Sequence, residues 1–229
     1  MMKRCLRLYK KHIRKDARNC LTAIPVCSTL SYRKRGSIKY WQAVELIQVL
    51  GAAKKESNRN WLIVLLSYKH GLRASEVAGL KLSDVAHGRC DVHRLKGSDH
   101  TNQPLESNEN PLLDEKRALA AYLRERPETT SVFLFVSEFG PRCGSGLSRQ
   151  SIHNIFQDAA AAAGIEPGRR HPHCAKHTLG TLLYKGGADI LVIKKMLGHR
   201  DLKSSACYIE LTADEAHTKG TKALTQVFA

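Results

Sequence analysis

Apolar residues recur at three- and four-residue steps through most of the chain after Ser37, a rhythm that predicts amphipathic helices. Trp41, Val44, Leu46, Ile47, Val49 and Leu50 mark the first, which Gly51 is expected to end. Trp61, Leu62, Val64, Leu65 and Tyr68 mark a second, opened by a Ser57 or Asn58 cap and stopped at His70-Gly71. Ser75 stands where it would cap a short third helix through Val77 and Leu80. The period then changes. Segments 82–86, 90–95 and 101–105 alternate, separated by His87-Gly88 and Gly97-Ser98-Asp99, and predict a small three-stranded antiparallel meander.

Helical spacing returns at 112–125. A short apolar run at 132–136 reads as a buried extended segment, and a Gly/Pro loop at 140–146 leads to Ser148, cap of a helix over 152–163. Three more helices are expected between His171 and Tyr208: 172–185, stopped by Gly186-Gly187; one from an Asp189 cap to Leu197-Gly198; and a short one over 202–208. A last helix covers about 213–227. The fold class that follows is mainly α (α+β): a helical body at 37–212 with a small sheet, a leading arm at 1–36 and a C-terminal helix at 213–229.

Charge changes the picture. The 229 residues carry a formal net charge of +16, which points to a polyanion, most often nucleic acid. Up to Lys39, twelve Lys and Arg stand against Asp16 alone. Such an arm suits backbone tracking on DNA, with Arg33, Lys34 and Arg35 at its end. No run reaches the ~18 apolar residues of a membrane span, and the basic start lacks the apolar stretch of a secretory signal. The seven Cys are odd in number and irregular in spacing, without a C-x-x-C pair, as expected of reduced thiols in a cytoplasmic protein.

Strong bases sit at loop ends and helix starts: Arg73, Lys96, His173, Lys176 and His199, with Tyr208 nine residues beyond the last. Each alone is unremarkable. Jointly they form the pattern Gly71-Leu72-Arg73-Ala74-Ser75-Glu76-Val77, Lys96-Gly97 in a hairpin, His173-Cys174-Ala175-Lys176-His177-Thr178, Leu197-Gly198-His199-Arg200 and Tyr208. In order, spacing and predicted element this resembles the catalytic domain of the tyrosine recombinases, the phage integrase family. It is closest in plan to compact members without the N-terminal DNA-clamping domain.

The resemblance implies a site-specific enzyme that cuts and rejoins double-stranded DNA without ATP, metal or other cofactor. Tyr208 would attack the phosphodiester and form a 3′-phosphotyrosine. Arg73, Lys176 and His199 would hold phosphate oxygens, Lys96 would protonate the leaving 5′ oxygen, and His173 would assist proton transfer at the nucleophile. Glu76 would orient the arginine's helix, His177 would support the set from behind, and Arg200 would join the DNA contacts. The resemblance also implies self-association on DNA, as a tetrameric synapse formed from monomers or dimers, with the C-terminal helix docking on a neighbour. Lysine at 176 departs from the usual arginine of H-x-x-R: it keeps the charge but loses the two-pronged fork. Two other readings stand beside this one: a DNA-binding regulator that lost catalysis through Lys176, and a zinc site built from His171, His173, Cys174 and His177. No second ligand pair at structural-zinc spacing accompanies the latter.

Overall fold

The computed structural model describes residues 38–94, 98–138 and 140–209, together with 217, 220, 221, 224 and 225. The basic arm with Arg33, Lys34 and Arg35, the hairpin tip with Lys96, and most of the expected helix at 213–227 lie outside the described residues. Of that helix, His217, Gly220, Thr221, Leu224 and Thr225 are helical.

Helix α1 (Ala43–Glu56) opens where the Glu45 carboxylate accepts the Gln42 backbone N–H at 2.7 Å. Gly51 does not end it. An interior glycine costs only about 1 kcal/mol, and the following Ala-Ala-Lys-Lys run favours helix. The stop comes at Ser57, in extended conformation, whose hydroxyl caps helix α2 (Asn58–Lys69) by accepting Asn60 N–H at 3.1 Å. Every residue from Trp61 to Leu66 is buried. A helix apolar all round must be surrounded, and α2 packs against α1, helix α4 (Glu115–Glu125) and helix α6 (Pro172–Lys185). Helix α3 (Ala74–Gly79) is capped by Arg73 rather than by Ser75. Helix α5 (Arg149–Ala162) begins at the expected Ser148 cap, and helix α7 (Ile190–Leu197) at the expected Asp189 cap.

The sheet is smaller than expected. Strands β1 (Arg89–Val92) and β2 (Thr101–Pro104) pair antiparallel, with Arg89 opposite Pro104 and Val92 opposite Thr101. The segment expected as a first strand forms a 3-10 turn over Leu82–Gly88, because Asp84 folds back to accept Lys81 N–H at 2.9 Å. Only Lys81 keeps a strand-like partner, in a bridge to Phe133. The short helix expected at 202–208 is likewise two 3-10 turns, Leu202–Ser204 and Ala206–Tyr208, with Ser205 between them turned inward.

The main core runs from Trp41, stacked on Phe156, through α2 to Phe135 and Tyr122. A buried polar node crosses it: His70, at the end of α2, bonds Gln103 of β2 and Glu115 of α4 at 2.6 and 2.7 Å. Gln103 also donates to the Met196 carbonyl at 3.0 Å, which brings β2 against α7. A second, smaller apolar cluster holds Leu179, Ile193, Leu197 and Tyr208.

Candidate active site

Arg73 follows the turn at Gly71, whose φ of +58° and 2.6 Å approach of Leu197 to a virtual Cβ exclude larger residues. Glu76, one turn into α3, accepts the Arg73 backbone N–H at 2.8 Å and its Nη1 at 3.0 Å, so it fixes both the helix start and the guanidinium. The Arg73 side chain remains 31% exposed, while Glu76 is sealed. Burial opposes the Glu76 carboxylate. The Arg73 N–H and the charges of Arg94, Arg73 and Lys176 outweigh it and hold its carboxyl below the usual range.

The second anchor of Glu76 is Arg94, at 3.1 Å and with no exposed side chain. Arg94 also donates to the carbonyls of Gly71 and His70 at 3.0 and 2.6 Å and to Thr101 Oγ1 at 3.1 Å. Sequence reasoning missed this residue, although strand parity carried a signal. Cys90 and Val92 face inward, so the next inward position is 94. A buried arginine there needs a carboxylate, and Glu76 is it.

On the far side of the β1–β2 connection, Ser98 accepts Arg73 Nη1 at 2.9 Å and forms a bridge with His199. Asp99 N–H donates to the Gly198 carbonyl at 3.0 Å. Gly198 has φ +62°, and a Cβ there would lie 3.0 Å from Arg94 Nε and from the Asp99 carbonyl. Glycine at 198 thus permits both the left-handed end of α7 and the close approach of this connection. The described residues on either side of Lys96 therefore contact Arg73, Glu76 and His199.

Helix α6 supplies Lys176 and His177. Lys176 as a residue is 5% exposed, and its Nζ donates to the Leu197 carbonyl at 3.0 Å. Burial, with Arg94 and Arg73 nearby and only partly offset by Glu76, brings its pKa down to about 7. His177 Nδ1 lies 3.0 Å from the Tyr208 hydroxyl. Burial and the neighbouring His173 and Lys176 depress the His177 pKa to about 4, so the ring is neutral at pH 7 and, in the tautomer protonated on Nε2, accepts the phenol's hydrogen bond. Burial pushes the Tyr208 phenol above its ordinary range. The Tyr208 ring stacks on His199 with centroids 6.4 Å apart, and it occupies a notch in α6 left by Gly180, where a Cβ would meet the ring at 2.6 Å. His199 Nδ1 sits 2.9 Å from Ser205 Oγ, and burial with the Lys176 and Arg73 charges depresses its pKa to about 4.

Arg73, Glu76, Lys176, His177, His199 and Tyr208 are thus brought together. His173, expected at the nucleophile, is exposed on the same helix with its ring 6.5 Å from that of His177; the hydroxyl's partner is His177. Arg200 is exposed beside His199. The alternative zinc set does not converge: among the described residues, the groups of His, Cys and acidic side chains close enough to share an ion do not include His171, His173, Cys174 and His177. No helix among the described residues is long and apolar enough to cross a membrane.

The sequence profile of the phage integrase family matches residues 39–215. The type 1 fimbriae regulatory protein FimE of Escherichia coli K12 is 34% identical over 152 residues, covering 66% of this chain and 73% of that protein. The tyrosine recombinase XerD of Mycobacterium tuberculosis H37Rv is 34% identical over 197 residues, covering 80% of this chain and 59% of XerD. Among solved structures, the XerA recombinase matches 80% of this chain and 64% of its own at a TM-score of 0.64 and 26% identity. The XerH recombinase bound to its difH substrate matches 80% of this chain and 54% of its own at a TM-score of 0.66. With 21% identity, the XerH likeness is one of fold. The chain spans between half and two thirds of these solved recombinase chains.

Proposed function

The chain belongs to the phage integrase family of tyrosine recombinases, and we propose that it breaks and rejoins DNA at specific sites through Tyr208. The observation that carries the assignment is the Tyr208 hydroxyl on neutral His177, inside a group that includes Arg73, Lys176 and His199. A phosphodiester under attack spreads negative charge over its oxygens, and fixed cationic donors meet it without reorganising. The part-exposed Arg73 guanidinium, held along one edge by Glu76 and Ser98, is the clamp for a nonbridging oxygen. Lys176 supplies a second positive charge in its protonated form, which prevails below a pKa of about 7. When Ser205 donates its hydroxyl proton to His199 Nδ1, the ring proton lies on Nε2, the donor that the other nonbridging oxygen requires.

In the first step the phenolic oxygen bonds to phosphorus and the bond to the 5′ oxygen breaks. The phenol's proton passes to a histidine, and Lys96 returns one to the leaving oxygen. The phosphotyrosine conserves the bond energy, so attack by a 5′ hydroxyl of the partner strand reseals the chain. His177 is the acceptor in the present geometry. His173, four residues earlier on the same helix with its ring 6.5 Å from that of His177, is the next proton acceptor in line.

Double-stranded DNA is the substrate, met by the catalytic body at 37–212, Arg200 and the arm with Arg33, Lys34 and Arg35. Exchange requires copies to assemble on DNA as a tetrameric synapse, with the 213–229 helix as the docking piece. The test is a nicked duplex that the protein demonstrably binds. Wild type is expected to form a covalent adduct there, stable to denaturation, that Tyr208→Phe does not. Equal yields from the two would establish the non-catalytic regulator instead.

A further inference from the structure

We infer that Asp91, His93 and His100 form a binding site for a transition-metal ion of the zinc class on the outer face of the β1–β2 hairpin. Their ligand atoms lie within 4.8 Å of one another. The register explains why. Val92 pairs with Thr101 and Asp91 with Asn102, so the next position outward sets His93 opposite His100. Side chains alternate along a strand, so Asp91 and His93 share one face, and that face is the open one because Cys90 and Val92 point into the core. The two imidazoles stack with centroids 4.9 Å apart, and His100 Nε2 hydrogen-bonds the Asp91 carboxylate. In that contact a proton already joins two of the three donors.

Two imidazoles and one carboxylate are a donor set that suits zinc, copper, nickel or iron(II) and disfavours calcium and magnesium. His93 and His100 are exposed and Asp91 is half-buried, so an ion can enter without moving the core. The nearest cation on the same strand face, Arg89, is already engaged by Asn102 through both Nε and Nη2. The site is separate from the phosphate-binding group and supplies no step of the strand exchange.

Its effect follows from where it closes. Joining His93 to His100 ties the two strands together beside Arg94, which holds Glu76, and close to Ser98, which holds Arg73. A bound ion therefore fixes the spacing of two described contributors to the active site. The binding claim does not depend on the recombinase reading.

Zinc(II) titrated into the metal-free full-length protein in a calorimeter, with cobalt(II) as an optical probe, tests it. One ion per chain is expected, binding at micromolar concentration or tighter. Cobalt should show a visible band from nitrogen and oxygen ligands without thiolate charge transfer. His93→Ala, His100→Ala and Asp91→Asn, all changes at the surface, should each weaken binding at least tenfold, while His171→Ala leaves it unchanged. Zinc should also slow amide hydrogen exchange at Arg94, Ser98 and Asp99 in wild type and not in His100→Ala. Undiminished binding by the His93→Ala/His100→Ala double variant, loss on His171→Ala, or no saturable zinc binding in the micromolar range would each overturn the assignment.

Discussion

Lys176 offers the sharpest quantitative test, because its burial has an energetic signature independent of any DNA. The amine's pKa is brought from its ordinary 10.5 to about 7 by burial first and by Arg94 and Arg73 second. A shift of that size corresponds to about 5 kcal/mol between protonation states, at 1.36 kcal/mol per unit. The sign follows from proton counting. Between pH 7 and 10.5 the unfolded chain holds a proton on Lys176 that the folded chain has lost. The stability contributed by this group therefore rises with pH across that window, by about 1.4 kcal/mol per unit. Below pH 7 both states are protonated and the folded protein bears the full cost of a buried charge. Lys176→Met removes the titrating group and keeps the volume, leaving the Leu197 carbonyl without its 3.0 Å donor at a pH-independent cost of about 1 kcal/mol. Urea unfolding of both proteins at pH 7.5 and 9.5 isolates the residue, because all other groups cancel in the difference. Wild-type stability relative to the variant should rise by about 2–3 kcal/mol between the two pH values. A difference constant to within about 0.5 kcal/mol would refute the claim that this ammonium is held desolvated beside Arg73 and Arg94.

Three further outcomes are expected. Lys176→Arg cannot lose its proton, so its covalent-adduct rate per bound site should stay level above pH 7 where the wild-type rate declines; parallel profiles would remove Lys176 from the phosphate site. Gly180→Ala places a methyl 2.6 Å from the Tyr208 ring and should lower adduct formation more than tenfold while costing about 1–3 kcal/mol of stability; an unchanged rate would mean the ring leaves this notch before chemistry. Arg94→Met strips the sealed Glu76 of its fully buried cationic partner and should destabilise the fold by about 3–5 kcal/mol, measured by denaturant unfolding, with Arg94→Lys recovering part of the loss.

Much of the architecture was legible because helices are local objects. Ser57, Ser148 and Asp189 cap where their hydroxyl or carboxylate oxygens stand before apolar-periodic runs, and Gly186-Gly187 and Gly198 end helices where a left-handed or side-chain-free residue is needed. The errors fell where one local preference outweighed another. Gly51 reads as a stop, yet the helix-forming Ala-Ala-Lys-Lys run after it carries α1 on to Glu56. Segment 82–86 alternates like a strand, yet Asp84 folds it into a turn and only Lys81 finds a strand partner.

The identities of the reactive side chains were likewise present in the amino-acid order: a tyrosine after Gly-His-Arg, a lysine three residues after His173, an arginine one turn from a glutamate. Their division of labour was not. The Tyr208 hydroxyl rests on His177 and not on His173 because the 3-10 turn at Ala206–Tyr208 and the Gly180 notch together set the ring's position. Nor could linear order reveal that Arg94, reached only through strand parity, and Glu76, on a separate helix, neutralise each other inside the fold. Sequence by itself determined which groups are available and which elements carry them. Tertiary structure decided their protonation, because burial and the distances between charges exist only once β2, α3, α6 and α7 have met.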